Sequence, residues 1–247
     1  MGTRQKRGER KQQLLLEAAK DLVTQGGIEG LTIARLAAQV GASVGGVYRH
    51  FVSKEAIVVA LQAWTMDSFR EDLALDLGAA QSFVRARKDD VHHLFLSLVA
   101  QTAYLRHAET DPARHRLLEL FVGGYEQPAS DELAAQVTAA FEPILARCAA
   151  TLDDAAQAGA LAKGDTIERV QVSWALVHGL DCVGRRGFGG VGLGSRFGLP
   201  ELRDASFRSL LIGWGAKPES VDRALARLRQ FDAARVMPVE FTTEAQP

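Results

Sequence analysis

Little in this chain points to an oxidising or membrane environment. Its 247 residues hold two cysteines, Cys148 and Cys182, too few for a disulfide framework and suited to a reducing cytoplasm. No apolar run follows the basic N-terminus, which argues against a signal peptide. None approaches the ~20 residues that span a bilayer, so a cytoplasmic protein without membrane contact is expected. Alternation with period two is almost missing, and helical spacing prevails instead. The fold is therefore expected to be all-α. Internal repeats and low-complexity tracts are missing as well.

Chemistry is also sparse. Gly187, Gly189 and Gly192 spell G-x-G-x-x-G, yet a helix precedes them and no βαβ unit surrounds them, so a flexible loop is the better account. His92 and His93 are adjacent and point about 100° apart on a helix, which prevents them from clamping one metal. His107 and His115 are expected to lack ligand partners at helical spacing. His178 and Asp181 can pair at i, i+3, but no activated serine or cysteine accompanies them. Neither catalysis nor a metal or cofactor is expected.

What is present is apolar content and an uneven charge. At 47% hydrophobic, a chain of this length buries a large core in one or two domains. Net charge is −1, but residues 1–54 hold nine basic side chains and four acidic ones, giving +5, so the remainder carries −6. A basic head on an acidic body fits a local phosphate footprint.

The head is built around residues 32–54. Thr32 can cap a short helix in which Leu36, Ala37 and Val40 share one face, and Gly41 sits where the chain must turn through positive φ. Ser43 can cap a second helix over 44–51, with Val47 and Phe51 spaced i, i+4 toward a core. This leaves Ser43, Val44, Gly46, Tyr48, Arg49 and His50 mostly outside. Gly45 and Gly46 each cost a helix about 1 kcal/mol relative to alanine, which suggests close approach of a backbone, here a sugar-phosphate strand. Two short helices joined by such a turn form a helix-turn-helix, whose second helix fits the DNA major groove. Ser53 caps a longer helix whose first residues are Lys54 and Glu55. An ammonium and backbone N–H groups there together suit a DNA phosphate.

Leu31 to Glu55 resembles the DNA-binding segment of the tetracycline-repressor (TetR) family of transcriptional regulators, most closely at Thr32, Ala37, Gly41, Ser43, Gly45, Tyr48, Phe51, Lys54 and Glu55. The resemblance implies an all-helical homodimer on double-stranded operator DNA with two-fold-related half-sites, released when a small-molecule effector enters a C-terminal domain. It further implies phosphate contacts from Tyr48 and Lys54 and base contacts from the early recognition helix. Val44, Gly45 and Gly46 depart from that pattern, offering few side chains that can hydrogen-bond a base. Arg49, His50 and the N-terminal arm are the alternatives.

The expected organisation is a DNA-binding domain over residues 9–69, with its motif at 32–51, and a larger helical domain over 70–247 for effector binding and dimerisation. Residues 1–9 are expected to be a disordered basic tail, and a first helix is expected over 10–25. Further helices are expected over 90–109, from Pro112, from Asp131, from Asp165, and near 201–214 and 219–231. W-A-L-V-H-G at Trp174 to Gly179 resembles a C-terminal module of one branch of the family. There Trp174 should stack on His178, while Ala175 and Gly179 leave a shallow groove for another helix. An effector pocket is expected among the middle helices, with Trp64, Phe95, Tyr104, His107, Phe121, Tyr125, Phe141, Trp174 and His178 as candidate linings.

Overall fold

A computed structural model describes residues 2–84, 90–122, 131–186 and 198–236. All regular structure among them is helical: α1 (Gly2–Gly30), α2 (Ile33–Gln39), α3 (Val44–Tyr48), α4 (Lys54–Phe83), α5 (Asp90–Gln101), α6 (Ala103–Thr110), α7 (Pro112–Val122), α8 (Asp131–Gln157), α9 (Thr166–Arg186), α10 (Leu199–Gly213) and α11 (Pro218–Val236). No helix among the described residues is long and apolar enough to cross a membrane. The chain divides into two compact units, Met1–Asp72 with Arg106–Leu145, and Leu73–Leu105 with Ala146–Pro247. Helices α4, α6 and α8 each contribute to both.

The first unit holds the helix-turn-helix. Leu15, Ala19, Leu22 and Val23 of α1 meet Leu36 and Ala37 of α2, Val47 of α3, and Phe51, Ile57 and Leu61 in one buried cluster. Leu117 joins it from α7, so a helix distant in sequence helps to seat the two short ones. Asp111 starts α7, its carboxylate accepting the Arg114 N–H at 3.0 Å, with Pro112 at the first helical position, where its missing N–H costs nothing.

The second unit lays α5 along α11 and packs α10 against α9 and α11. Phe83, Phe95 and Phe231 meet within it edge-on or tilted, with ring centroids 5.7–6.2 Å apart. Polar groups are buried here too. Ser97 Oγ donates to the Thr151 carbonyl at 2.8 Å and Gln101 Nε2 to that of Cys148 at 3.2 Å. The buried Arg203 reaches Asp204 at 2.9 Å and Asp232 at 2.7 Å. Both cysteines are free, and burial pushes the Cys148 thiol up to about 12.

Three boundaries differ from expectation. The first helix begins at Gly2, so residues 2–9 are helical rather than a disordered tail. Their Arg, Lys, Gln and Glu are good helix formers, and Gly8 is the glycine in the interior that opposes them. Gly27, where the helix was expected to stop, instead holds a kink at φ 68°. The single helix expected over 90–109 is broken at Thr102, whose hydroxyl donates to the Leu98 carbonyl at 2.6 Å. The Thr102 N–H also donates to that carbonyl, at 2.9 Å, and the same hydroxyl bond is made by Thr65 within the unbroken α4. The glycine-rich loop after α9 lies outside the described residues.

Candidate nucleic-acid interface

Three hydroxyl caps set the geometry of the head. Thr32 Oγ1 accepts the Arg35 N–H at 3.2 Å, Ser43 Oγ the Gly46 N–H at 3.1 Å, and Ser53 Oγ the Ala56 N–H at 3.2 Å. Each satisfies one of the donors that a helix start leaves orphaned. Between α2 and α3, Gly41 adopts φ 63°. Its N–H donates to Ala38 and that of Ala42 to Ala37, at 3.2 and 2.8 Å, the two bonds of a Schellman stop. Arg35 adds a strap across the start of α2, Nη1 donating to the Gly30 carbonyl at 2.8 Å.

The outer face is short. α3 itself covers only Val44–Tyr48 rather than the 44–51 expected, although the His50 and Phe51 N–H groups still donate to Val47. Val44 and Tyr48, one turn apart, are 45% and 50% exposed, and Thr32, Ser43, Gly45 and Arg49 are also exposed. His50 and Lys54 are half-buried.

Gly46 corrects the expectation of an outward glycine. It is buried, and a Cβ there would come within 3.3 Å of the Ser43 hydroxyl. Its smallness therefore serves the cap. Gly45 is different, because a Cβ on it would meet nothing within 4 Å. Of the two, Gly45 is the one that leaves backbone open toward solvent.

At the start of α4 fewer N–H groups are free than the sequence implies. Ser53 takes the Ala56 N–H. The Glu55 carboxyl is held below its usual range by its own backbone N–H first and by Ser53 second. Lys54, half-buried, is the cationic side chain at this helix start.

Residues 15–61, which span these caps and the buried cluster, match the model of the bacterial regulatory proteins of the tetR family. This N-terminal segment is of the TetR type. Among relatives of the chain, the nucleoid occlusion factor SlmA of Edwardsiella ictaluri (strain 93-146) is 30% identical over 138 residues, 56% of this chain and 63% of that protein. The chain thus spans less than two thirds of this relative's length. In fold it is similar to a protein of unknown function from Rhodococcus sp. RHA1, with TM-score 0.61, 20% identity and coverage of 83% of this chain and 95% of the other. It is also similar to the transcriptional regulator FadR from Bacillus subtilis in complex with stearoyl-CoA, with TM-score 0.57, 17% identity and coverage of 81% and 98%.

The residues expected to line an effector pocket fall into separate groups. Trp64 is half-buried in the first unit, with Lys20 and Arg114 over its ring at 6.0 and 5.7 Å. Phe95 is wholly buried against Phe83 and Phe231. Tyr104, Trp174 and His178 do come together in the second unit. Trp174 stacks on His178 at 6.0 Å and 18°, Tyr104 meets Trp174 edge-on at 4.8 Å, and its hydroxyl lies 3.4 Å from His178 Nδ1. Phe141 is half-buried. Tyr125 and the Phe121 side chain lie outside the described residues. A separate depression of about 60 Å³, lined in part by His93, Arg147 and Asp154, is far below the ~300–1,000 Å³ of ligand pockets.

His115 corrects a further expectation. Glu119 lies one turn beyond His115 on α7, and ligand atoms of the two are within 4.8 Å of each other. His107, which has no such partner at helical spacing, is buried beside His115, ring centroids 5.9 Å apart. Its Nδ1 is 2.9 Å from Asp72 Oδ2. Burial, more than the opposing hydrogen bond from Asp72, lowers the His107 pKa. The spacing of His115 and Glu119 was readable from sequence; the approach of His107 and Asp72 was not.

Proposed function

We propose that this chain is a homodimeric, ligand-responsive DNA-binding transcriptional regulator of the TetR family, and specifically a repressor that leaves a palindromic operator when a small-molecule effector binds. The carrying observation is the exposed face of α3 set between three capped helix starts, with Tyr48 outward and Lys54 heading α4. Residues 9–69 are assigned to DNA and 70–247 to effector binding and dimerisation.

In this reading Tyr48 and Lys54 hold phosphates, while Thr32 and Ser43 sit at helix starts whose N–H groups suit the same strand. Gly45 allows the backbone close to the duplex. Val44 suits a thymine methyl, and Arg49 and His50 supply the polar base contacts. Two copies place their recognition helices about 34–36 Å apart, one turn of duplex. The dimer seam is assigned to α9, where Ile167 and Val172 are 55% and 38% exposed and Glu168, Ala175 and Gly179 are exposed with them. Tyr104, Trp174 and His178 are the polar and aromatic groups assigned to the effector. Ligand and DNA are then reciprocally linked, each weakening the other by the effector's differential affinity for two body packings.

Selection of bound duplexes from random DNA at stated salt tests the assignment. Enrichment of an inverted repeat is expected, and equal retention of scrambled DNA at low ionic strength would overturn it. Stearoyl-CoA, the ligand held by FadR of similar fold, is a first probe for release.

A further inference from the structure

Two arginines of the second unit are equally buried and differ in what they hold. Arg203 and Arg169 are each 8% exposed. Arg203 reaches two carboxylates, Asp204 and Asp232. The Arg169 guanidinium reaches none among the described residues. Its carbon instead lies 5.4 Å from the centre of the Trp214 ring. It is also pressed against Gly164, where a Cβ would come within 2.5 Å of Nη2.

The acids at this end of α9 are engaged elsewhere. Asp165 Oδ1 accepts the N–H groups of Ile167 and Glu168 at 2.9 and 3.1 Å, which caps the helix. Asp153 Oδ1 accepts the Thr166 hydroxyl at 2.5 Å. Glu168 is exposed. The surrounding backbone is fixed. The Ala162 N–H donates to the Trp214 carbonyl at 2.8 Å, and Gly215 turns at φ 89° where a Cβ would lie 2.8 Å from that of Ala162. Trp214 is thereby held near the start of α9, and Arg169 folds back toward that start to meet it.

Arginine is almost never buried to this degree without a partner, since an uncompensated interior charge is costly. A cation in the first turn also opposes the helix dipole. The aromatic ring offsets only part of this. A bound anion removes both deficits. The helix start favours negative charge, and the guanidinium fork matches two oxygens of a carboxylate or phosphate. Trp214 and Gly164 already fix the fork, so little ordering is left for a ligand to bring about.

We propose that Arg169, braced by Trp214 and Gly164 at the start of α9, is the binding site of an oxyanion, a carboxylate or phosphate group carried by a small molecule. The site shares no residue with the Tyr104, Trp174 and His178 group assigned to the effector. Arg169 lies on the buried side of α9, apart from the exposed Ile167, Glu168 and Val172 assigned to the dimer.

The test titrates isotope-labelled full-length protein with sodium phosphate and, separately, sodium acetate, at an ionic strength held constant with chloride. The Trp214 indole N–H resonance, assigned from Trp214→Phe, is the reporter. Saturable shifts at one site per chain are expected with at least one of the two anions, and the anion that saturates names the group. Arg169→Lys keeps the charge and loses the fork, so Kd should weaken about tenfold, as the loss of one charge-assisted hydrogen bond dictates. Gly164→Ala displaces the guanidinium from an exposed backbone position and should weaken Kd to a similar extent. It is the second variant should Arg169→Lys misfold, which circular dichroism reports. Shifts that rise linearly with both anions, or affinity unchanged in either folded variant, would overturn the site and leave Arg169 as a cation packed over Trp214. DNA is absent from every arm, so this proposal and the regulator assignment fail separately.

Discussion

The helix-turn-helix and the second unit keep their polar side chains to different purposes. In the first, hydroxyls at helix starts bond N–H groups three residues on, as Thr32, Ser43 and Ser53 do. In the second, polar groups reach across the chain: Asp90 to Ser220, Arg203 to Asp232 and Asp76 to Arg235. Local bonds specify a shape from a short window of sequence. Long-range bonds specify which helices pack together, and no short window contains them. The contrast explains why a motif marks the head while the body carries none.

Four substitutions sharpen or break that contrast. The largest effect belongs to the body. Arg203→Leu leaves Asp232 facing a lost guanidinium and should destabilise the protein by about 3–5 kcal/mol, as breaking a buried ion pair does; a denaturation midpoint unchanged from wild type would show the pair to be idle. In the head, Ser43→Ala should cost about 1 kcal/mol through the lost cap, with a larger loss of DNA affinity than of stability if α3 is the reading helix. Lys54→Ala should weaken binding to every duplex alike and lower the salt slope by about 1; a change confined to one base position would contradict a phosphate role.

The smallest effect is acid sensitivity. Ser220 first, then the Val91 N–H and nearby Arg223 and Lys217, hold the Asp90 carboxyl below its usual range against a modest burial penalty. The unfolded chain therefore takes up that proton at higher pH than the folded one. The resulting stability is present above about pH 3.9 and is lost as pH falls through the lower folded value. Asp90→Asn should flatten that acid limb in pH-dependent melting, and an unaltered limb would show that other carboxylates carry it.

Legibility in the sequence followed the range of each interaction. Leu36, Ala37, Val47 and Phe51 were readable as an inner face because helical spacing places them there, and all four are buried. Gly41 was readable as a turn for the same local reason. The break at Thr102 was not, since neither glycine nor proline marks it. Trp174 over His178 was readable at i, i+4, whereas Tyr104, 74 positions away from His178, was brought beside them only by packing. His107 and Asp72 are 35 positions apart and were invisible for the same cause. Gly46 misled because exposure and a need for smallness look alike in sequence.

The stop at Gly41 has a stereochemical corollary. A Cβ there would meet nothing within 4 Å, so the position rejects handedness and not bulk. An L-alanine would carry roughly 1–2 kcal/mol of torsional cost. Its mirror image, D-alanine, is free of that torsional cost, because a φ of 63° has the sign that a D residue favours.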